Sequence, residues 1–558
     1  MTYAPWFDRG ELWQNLFTPH VEHRIVPTLV LNFGLLLIGG QWDARVQCVA
    51  NAALHAAIAA TLFGWALYRL RPYWAAATGI TLAVVTALPL SPDNIIRGFQ
   101  SVYFFTIAFS FLAMGGLLRP RAFSLAWWGG LLAGLIALVS LGSGFLCAVP
   151  ILAIGGLRWV FRLGPRRDAI ATLLAALLLL ALGWYGRVMA PSHAPLQAHS
   201  LEEFLLFYLR CLAWPRPEWP WLAGLFWAPW LVLLVQRWRT RQTPDLAADF
   251  ILATGCWVHL QAAAGAYARG TGGLPPTNRY GDLFTIGLAL SCCAFGLLAA
   301  RRPRRWLIPA NVLWLLVLTA SAVWAVKAVQ WPLLKAHRIQ SLTYERNVGA
   351  FMLTGDYETF AVNEQPFPIT ELLGKILRRP SIRRVLPASV RVPVAVPGFD
   401  DTLPAGAPPL PYRHLRLVHG ADEWRSTPLV SSPGWWKFET LGVLAAPGAT
   451  FELVALADRR VLGAAAPLVA DGKSWRTVFL PAPGEPATLV VRTGTGTDWF
   501  AFTQPVKVTS LGYRTEQFTR QGYTVIGLGI LVLVLGLVLA RPHGKGLSQT
   551  PFPLEANR

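Results

Sequence analysis

The sequence predicts a membrane all-α bundle of about 11–12 spans, with an outward α+β insert that ends in a jelly-roll-like β-sandwich before the last span. Three observations carry this. Hydrophobic residues make up 54% of the chain, charged residues only 14%, and there are 25 tryptophans; mean hydropathy is +0.43, a membrane-protein composition. Apolar runs approaching the roughly 20 residues that a helical crossing needs recur along most of the chain. One long polar stretch, 327–522, interrupts them with short alternating runs.

The net charge of +20 fits a lipid bilayer better than nucleic acid. Arg and Lys fall in short clusters between apolar runs, without a continuous basic stripe or an aromatic-basic sheet motif, so no nucleic-acid partner is expected. Cys48, Cys147, Cys211, Cys256, Cys292 and Cys293 all lie in or beside apolar segments. Their spacing fits neither a disulfide framework nor a zinc site. The chain opens polar and aromatic, without the pattern of a signal peptide.

In chain order, residues 1–24 read as an outward or interfacial loop and 25–326 as the transmembrane helical domain. Candidate spans lie near 25–42, 46–68, 73–90, 102–118, 123–141, 145–161, 168–190, 219–236, 247–267, 283–300, 306–326 and 523–540. Arg69/Arg71, Arg119/Arg121, Arg162/Arg166/Arg167, Arg237/Arg239/Arg241, Arg301/Arg302/Arg304/Arg305 and Arg541/Lys545 occupy every second connection. The positive-inside rule makes those connections cytoplasmic. The others, 91–101, 191–218, 268–282 and 327–522, then face outward, which in a bacterial inner membrane is the periplasm.

Twelve crossings with a cytoplasmic tail at 541–558 would leave the opening stretch in the cytoplasm. An outward opening loop is restored if the Pro27-containing run is re-entrant or interfacial, or if an upstream span is missing and another segment does not cross. Residues 204–214 are too short to span and read as an interfacial helix before the Pro215-Arg216-Pro217 break.

The outward insert has two parts. Leu333, Leu334, Ile339, Leu342, Val348, Phe351, Met352 and Leu353 recur at helical spacing, and Leu372, Leu373, Ile376 and Leu377 form a second helix, so 327–393 is a periplasmic helical segment. Residues 394–522 carry short runs, among them 414–418, 436–439, 451–454, 475–479, 488–491 and 499–502, separated by Gly, Pro and Asp turns. That pattern predicts the antiparallel sandwich.

Candidate chemistry gathers in three outward stretches. The opening loop combines Asp8, near an aromatic wall, with His20, Glu22, His23 and Arg24. Such a set can supply a general base for an acceptor hydroxyl and cations for a phosphate leaving group. The competing reading is an amphipathic interfacial helix with a solvated polar face. The second stretch sets Asp93, Asn94, Arg97 and Gln100 around a turn into the next span, as a ligand-facing helix entry or as ordinary capping. The third holds Arg269, Arg279 and Tyr280 in a Gly/Pro-rich loop. Two guanidinium forks at a membrane mouth suit a lipid-linked phosphate or diphosphate; pairing with headgroups or Asp282 is the alternative.

Other polar residues read as structural. His193, His199, Glu202 and Glu203 fit no metal-ligand pattern. His55, His259, Asn51 and Gln261 lie inside spans, where interhelical hydrogen bonding is the common reason for a polar side chain. Asp400 and Asp401 read as a turn.

The order of an outward acidic-aromatic loop, PHVEHRI running into a span, DNIIRGFQ opening a later one, and RG followed by NRYGD before another resembles bacterial multipass glycosyltransferases of the GT-C superfamily. The resemblance covers roughly the membrane half. It implies a polyprenyl-phosphate-linked sugar as donor, and an essential acidic residue in an outward loop after the first span. It carries over to Asp8 as the acid/base, with Glu22 as its substitute, and to Arg24, Arg97, Arg269 and Arg279 as donor-phosphate contacts. The chain departs from the pattern in lacking a span before the opening loop, a second carboxylate beside Asp8, and a polar residue at Val21.

The expected reaction is inversion at the anomeric carbon onto a glycan or lipid acceptor. No soluble cofactor is required; a divalent cation could assist, although no ligand set announces one. Exposed Trp435, Trp436 and Trp499 would bind glycan, or else pack in the core. A flippase for a lipid-linked saccharide would need a polar path through the bundle, and intramembrane charge is scarce. A non-catalytic envelope assembly protein would use the sandwich for docking.

Overall fold

The computed structural model describes residues 15–188, 191–240, 245–301, 305–360, 366, 369–404, 406–407, 414–420, 423–430, 432–444, 448–465, 468–469, 475–482, 484–494, 499–521, 527 and 531. Asp8 and, apart from Gly527 and Leu531, the expected span 523–540 and tail 541–558 lie outside the described residues. The described chain forms two compact units, one of 17–29 and 48–332, the other of 15–16, 30–47 and 333–521.

A helix occupies each expected apolar run between 25 and 326: α1 (Val26–Gly39), α2 (Ala44–Arg69), α3 (Pro72–Ala87), the short α4 (Pro92–Ile96), α5 (Ser101–Leu117), α6 (Leu125–Leu138), α7 (Ala148–Val160), α8 (Arg166–Tyr185), α9 (Leu201–Leu212), α10 (Leu222–Arg239), α11 (Leu246–Arg269), α12 (Gly281–Arg301) and α13 (Leu307–Ala325). Among the described residues, six helical stretches are long and apolar enough to cross a membrane: Ala44–Arg69, Gly98–Leu117, Arg166–Tyr185, Leu246–Arg269, Asn278–Arg301 and Leu307–Thr354. Four apolar helices are shorter, including Val26–Gly39.

Position within the helical unit follows composition. The apolar window of Asn278–Arg301 is 89% buried, so a helix that is greasy on every side forms the centre. Ala44–Arg69 and Arg166–Tyr185 are only 17% and 22% buried and keep apolar side chains on the outside. Helices α5 and α6 meet backbone to backbone: a Cβ on Gly116 would stand 2.6 Å from the Gly130 Cα, so only glycine permits this approach.

Two ends of this unit are chemically distinct. At one end Asp249, 4% exposed, takes Arg158 Nη2 at 2.8 Å and Arg237 Nε at 2.9 Å, locking α7, α10 and α11 together. Arg269 closes the same helix roughly 30 Å away at a rise of ~1.5 Å per residue. At that second end Ser101 Oγ donates to Thr28 Oγ1 (2.9 Å), and Asn51 Nδ2 donates to the carbonyls of Arg97 (3.3 Å) and Gly98 (3.1 Å). Thr28 and Asn51 are therefore both held at that end of the bundle.

In the second unit, α14 (Trp331–Thr354) continues α13 through one wide turn, Val326–Gln330. The expected division at 326/327 thus falls inside an unbroken helix. Val348, Phe351 and Met352 of α14 pack with Leu377 of α15 (Thr370–Leu377) and with Phe360 and Val390; α16 (Pro380–Val385) follows.

The C-terminal region is antiparallel β. Strands β1 (Leu415–Val418), β2 (Glu423–Arg425), β3 (Gly434–Leu444), β4 (Thr450–Ala455), β5 (Val461–Ala464), β6 (Leu468–Val469), β7 (Arg476–Ala482), β8 (Ala487–Arg492), β9 (Phe500–Thr503) and β10 (Val506–Val508) make two sheets. One runs β1-β9-β3-β10 with β6 and β7 also on β3, the other β2-β8-β4-β5. Period-2 alternation sends Phe438, Phe451, Leu453, Leu489, Val491, Phe500 and Phe502 into one shared core.

Of the two readings of Trp435, Trp436 and Trp499, glycan binding or core packing, the contacts are those of packing. Trp436 is 2% exposed, Trp435 stacks on Tyr513 at 3.8 Å, and Trp499 is half-buried against Gly442. All three pack. The region also ends in a helix, α17 (Ser510–Arg520), rather than in strand. Its buried Glu516 accepts from Lys437 Nζ at 2.8 Å and Arg520 Nη2 at 2.7 Å. Arg45 lies 4.0 Å from the same carboxylate and 3.1 Å from Asp43, which ties the start of α2 to the sheet.

Candidate functional site

The site grows from one tight turn. After Leu16 the opening chain is not a continuing amphipathic helix: His20 N–H donates to the His23 carbonyl at 2.7 Å and His23 N–H returns the bond at 3.1 Å. Closing this turn holds Val21 at φ +58°, a conformation that a β-branched residue rarely adopts and that costs of order 1–3 kcal/mol. The next residue, Glu22, is thereby presented to the ends of other helices.

Glu22 gathers three donors. Its Oε1 lies 2.5 Å from Arg269 Nη2, at the end of α11, and 3.3 Å from His23 Nε2. Its Oε2 lies 2.8 Å from His193 Nδ1, carried by the short turn Pro191–Leu196. The same His193 nitrogen is 2.9 Å from Arg269 Nη2. His23 Nδ1 accepts the Gly142 N–H at 3.2 Å, so the proton of the neutral ring sits on Nε2, facing Glu22. A Cβ on Gly142 would stand 2.6 Å from that Nδ1; glycine makes the approach possible.

These bonds set the electrostatics. The His23 hydrogen bond, helped by His193 and Arg269 and opposed by partial burial, holds the Glu22 carboxyl down to about 2. A carboxylate that acidic is a poor proton acceptor at neutral pH. The geometry instead makes Glu22 the anchor that orients a guanidinium and two imidazoles. Burial, then the neighbouring His23, lowers the pKa of His20, whose ring lies 4.9 Å from that of Phe99.

The His20–Phe99 contact brings in the second stretch. Asn94, 1% exposed, is not a cap: its Nδ2 donates to the Arg279 carbonyl at 2.9 Å and to Asp282 Oδ2 at 2.8 Å. Tyr103 stands edge-on to Tyr280 at 5.8 Å, within electrostatic range of Arg279, Asp93 and Arg269. The Arg279 guanidinium lies 5.3 Å from the Tyr280 ring centre, and its Nε is buried without a partner among the described residues. The turns at 20–23, 91–100, 191–196 and 268–282 thus meet at one end of the helical unit.

The expected residues do not all take the expected posture. Glu22, His23, Arg269, Arg279 and Tyr280 stand in or beside the cluster. Arg24 instead donates to the Gly186 carbonyl, Arg97 is half exposed and 3.5 Å from Asp93, and Gln100 is buried, its backbone N–H donating to the Arg97 carbonyl. Asn94 belongs to the expected helix-entry stretch and Asp282 is the alternative arginine partner, but their bond to each other is not foreseen by the sequence, and His193 reads there as structural. Of the polar residues inside apolar helices, His259 Nδ1 meets Tyr208 OH at 2.7 Å and Gln261 Nε2 donates to Ser143 O at 3.2 Å, whereas His55 stacks on Phe104 at 4.8 Å. Among the described residues no group of three His, Cys, Asp or Glu is placed to hold a metal ion.

Compared with known proteins, the chain matches no family model and no curated protein.

Proposed function

We propose that this chain is an integral membrane glycosyltransferase of GT-C type, moving a sugar from a polyprenyl-phosphate donor to an envelope glycan or lipid acceptor at the periplasmic face of a bacterial inner membrane. The observation that carries the reading is the meeting of Arg269, Arg279, His23 and His193 at the helix ends, roughly 30 Å from the Arg158–Asp249–Arg237 triad, about one hydrocarbon thickness. Arg237, Arg239 and Arg301 belong to the triad end, which the positive-inside rule assigns to the cytoplasm. The Glu22 cluster then faces outward.

On this reading the stretch 28–51 is an outward helical hairpin, so α1 does not cross. With 523–540 as the last crossing there are about eleven spans and an outward opening loop. The two-sheet region is a jelly-roll sandwich on the periplasmic side. In the reaction, Arg269 and Arg279 neutralise the leaving lipid phosphate through charge-assisted bonds. Glu22 keeps Arg269, His23 and His193 in place. Asp8 takes the acceptor hydroxyl proton as the acceptor oxygen bonds the anomeric carbon and the carbon–phosphate oxygen bond breaks on the opposite face.

The test is transfer from a defined polyprenyl-phosphate sugar by the full chain in nanodiscs. Arg269→Gln and Arg279→Gln should each reduce transfer on the order of a hundredfold, and Asp8→Asn should abolish it while donor binding persists. Unchanged glycan and lipid-intermediate pools in cells lacking the protein would remove the basis of the reading. Loss of lipid movement without loss of transfer would favour a flippase.

A further inference from the structure

The β region carries a polar cleft of about 420 Å³, lined by Asp401, Thr402, Arg416, His419, Glu423 and Trp424, within the usual range of a small-ligand site, roughly 300–1,000 Å³. We propose that this cleft binds a neutral saccharide. It is a different place from the packed Trp435, Trp436 and Trp499, and the inference does not depend on the transfer reaction.

Charge inside the cleft is already balanced. Asp401 Oδ2 accepts the Leu417 N–H at 2.7 Å and lies 3.4 Å from Arg416 Nη1. Glu423 is held by Arg425 at 2.5 Å and Arg492 at 2.7 Å. An anion would meet two carboxylates, and a bare cation would compete with three guanidiniums. An uncharged ligand rich in hydroxyls meets neither penalty and can both donate and accept. Asp401, in the segment before β1, presents its carboxylate beside Arg416 of β1, whose Nε is buried without a partner among the described residues: an acceptor and a donor close together.

The indole supplies the platform. Trp424 sits on β2, an edge strand of its sheet, and is half-buried. Phe399 at 5.4 Å and Phe502 at 5.3 Å brace it edge-on. The polarised C–H face of a pyranose packs against the negative face of such a ring, while its equatorial hydroxyls reach carboxylate, guanidinium and imidazole.

The experiment is binding of the full chain in nanodiscs to immobilised short neutral gluco-, manno- and galacto-oligosaccharides, with oligogalacturonate, inorganic phosphate and calcium as charged probes. At least one neutral series should bind, and Arg416→Gln should weaken it tenfold or more while thermal unfolding stays unchanged; Trp424→Leu should weaken it likewise and, by removing a ring packed on Phe399 and Phe502, also lower the unfolding midpoint. Asp401→Asn, which keeps an acceptor for Leu417 N–H, guards against a folding artefact and should weaken binding similarly. Retention of no neutral saccharide, equal retention by all variants, or binding of only the anions or calcium would overturn the proposal.

Discussion

Glu22 and Arg269 stand 247 residues apart in the chain, and their side chains meet at 2.5 Å. The pair joins the opening turn to the far end of α11, and His23 and His193 complete the arrangement around the same carboxylate. Glu22 therefore acts through the groups it holds, which bears on how each substitution should behave.

Acid should loosen the turn. The Glu22 carboxyl titrates near 2 in the folded protein against an ordinary 4.5. A lowered folded value means that its stabilisation is fully present above pH 4.5 and is lost as pH falls towards 2. Glu22→Gln should flatten the dependence of the thermal midpoint on pH across that window, and near neutral pH should lower the midpoint without changing its slope.

Gly142→Ala should separate geometry from folding. The added methyl meets His23 Nδ1, so the ring must turn away from Glu22. Transfer activity should fall on the order of a hundredfold, with the thermal midpoint lowered modestly by loss of the His23 bond and the chain still folded. Equal activity would detach His23 from the chemistry.

Asp249→Asn should destabilise the helical unit by about 3–5 kcal/mol, because it leaves Arg158 and Arg237 buried without their counter-charge. Replacing all three residues by methionine should recover most of that loss. Thermal unfolding in detergent measures both.

The same logic applies to the pair in the β unit. Burial would push the Glu516 carboxyl up, but Lys437, Arg520 and Arg45 together hold it below its ordinary value. Glu516→Leu alone should cost about 3–5 kcal/mol, whereas Lys437→Met with Glu516→Leu should be near neutral. Limited proteolysis of the β unit reports the difference.

Much of this architecture was legible because apolar length and period are local signals. The runs at 46–68, 247–267 and 283–300 anticipate α2, α11 and α12, and 451–454 and 488–491 anticipate β4 and β8. Strands β2 and β10 have only three residues each, too few to show a period. Helix α17 is polar and its buried face rests on Lys437, so no apolar stripe announces it. Asp8, on which the acid/base expectation centred, lies outside the described residues. In the site, Glu22 and Arg269 stand out as charges beside apolar runs, but His193 and Asp282 acquire their partners only through tertiary contacts 171 and 188 residues away.

Val21 has a consequence for tolerance to change. Its side chain is 56% exposed, so no packing rewards the left-handed backbone it adopts; the two His20–His23 bonds impose it. Glycine or asparagine there would raise thermal stability by ~1 kcal/mol, yet would also give the loop more shapes when those bonds open. A sequence tuned only for endurance would discard this valine. Its presence marks a place where the chain accepts local discomfort in exchange for a narrow choice of form.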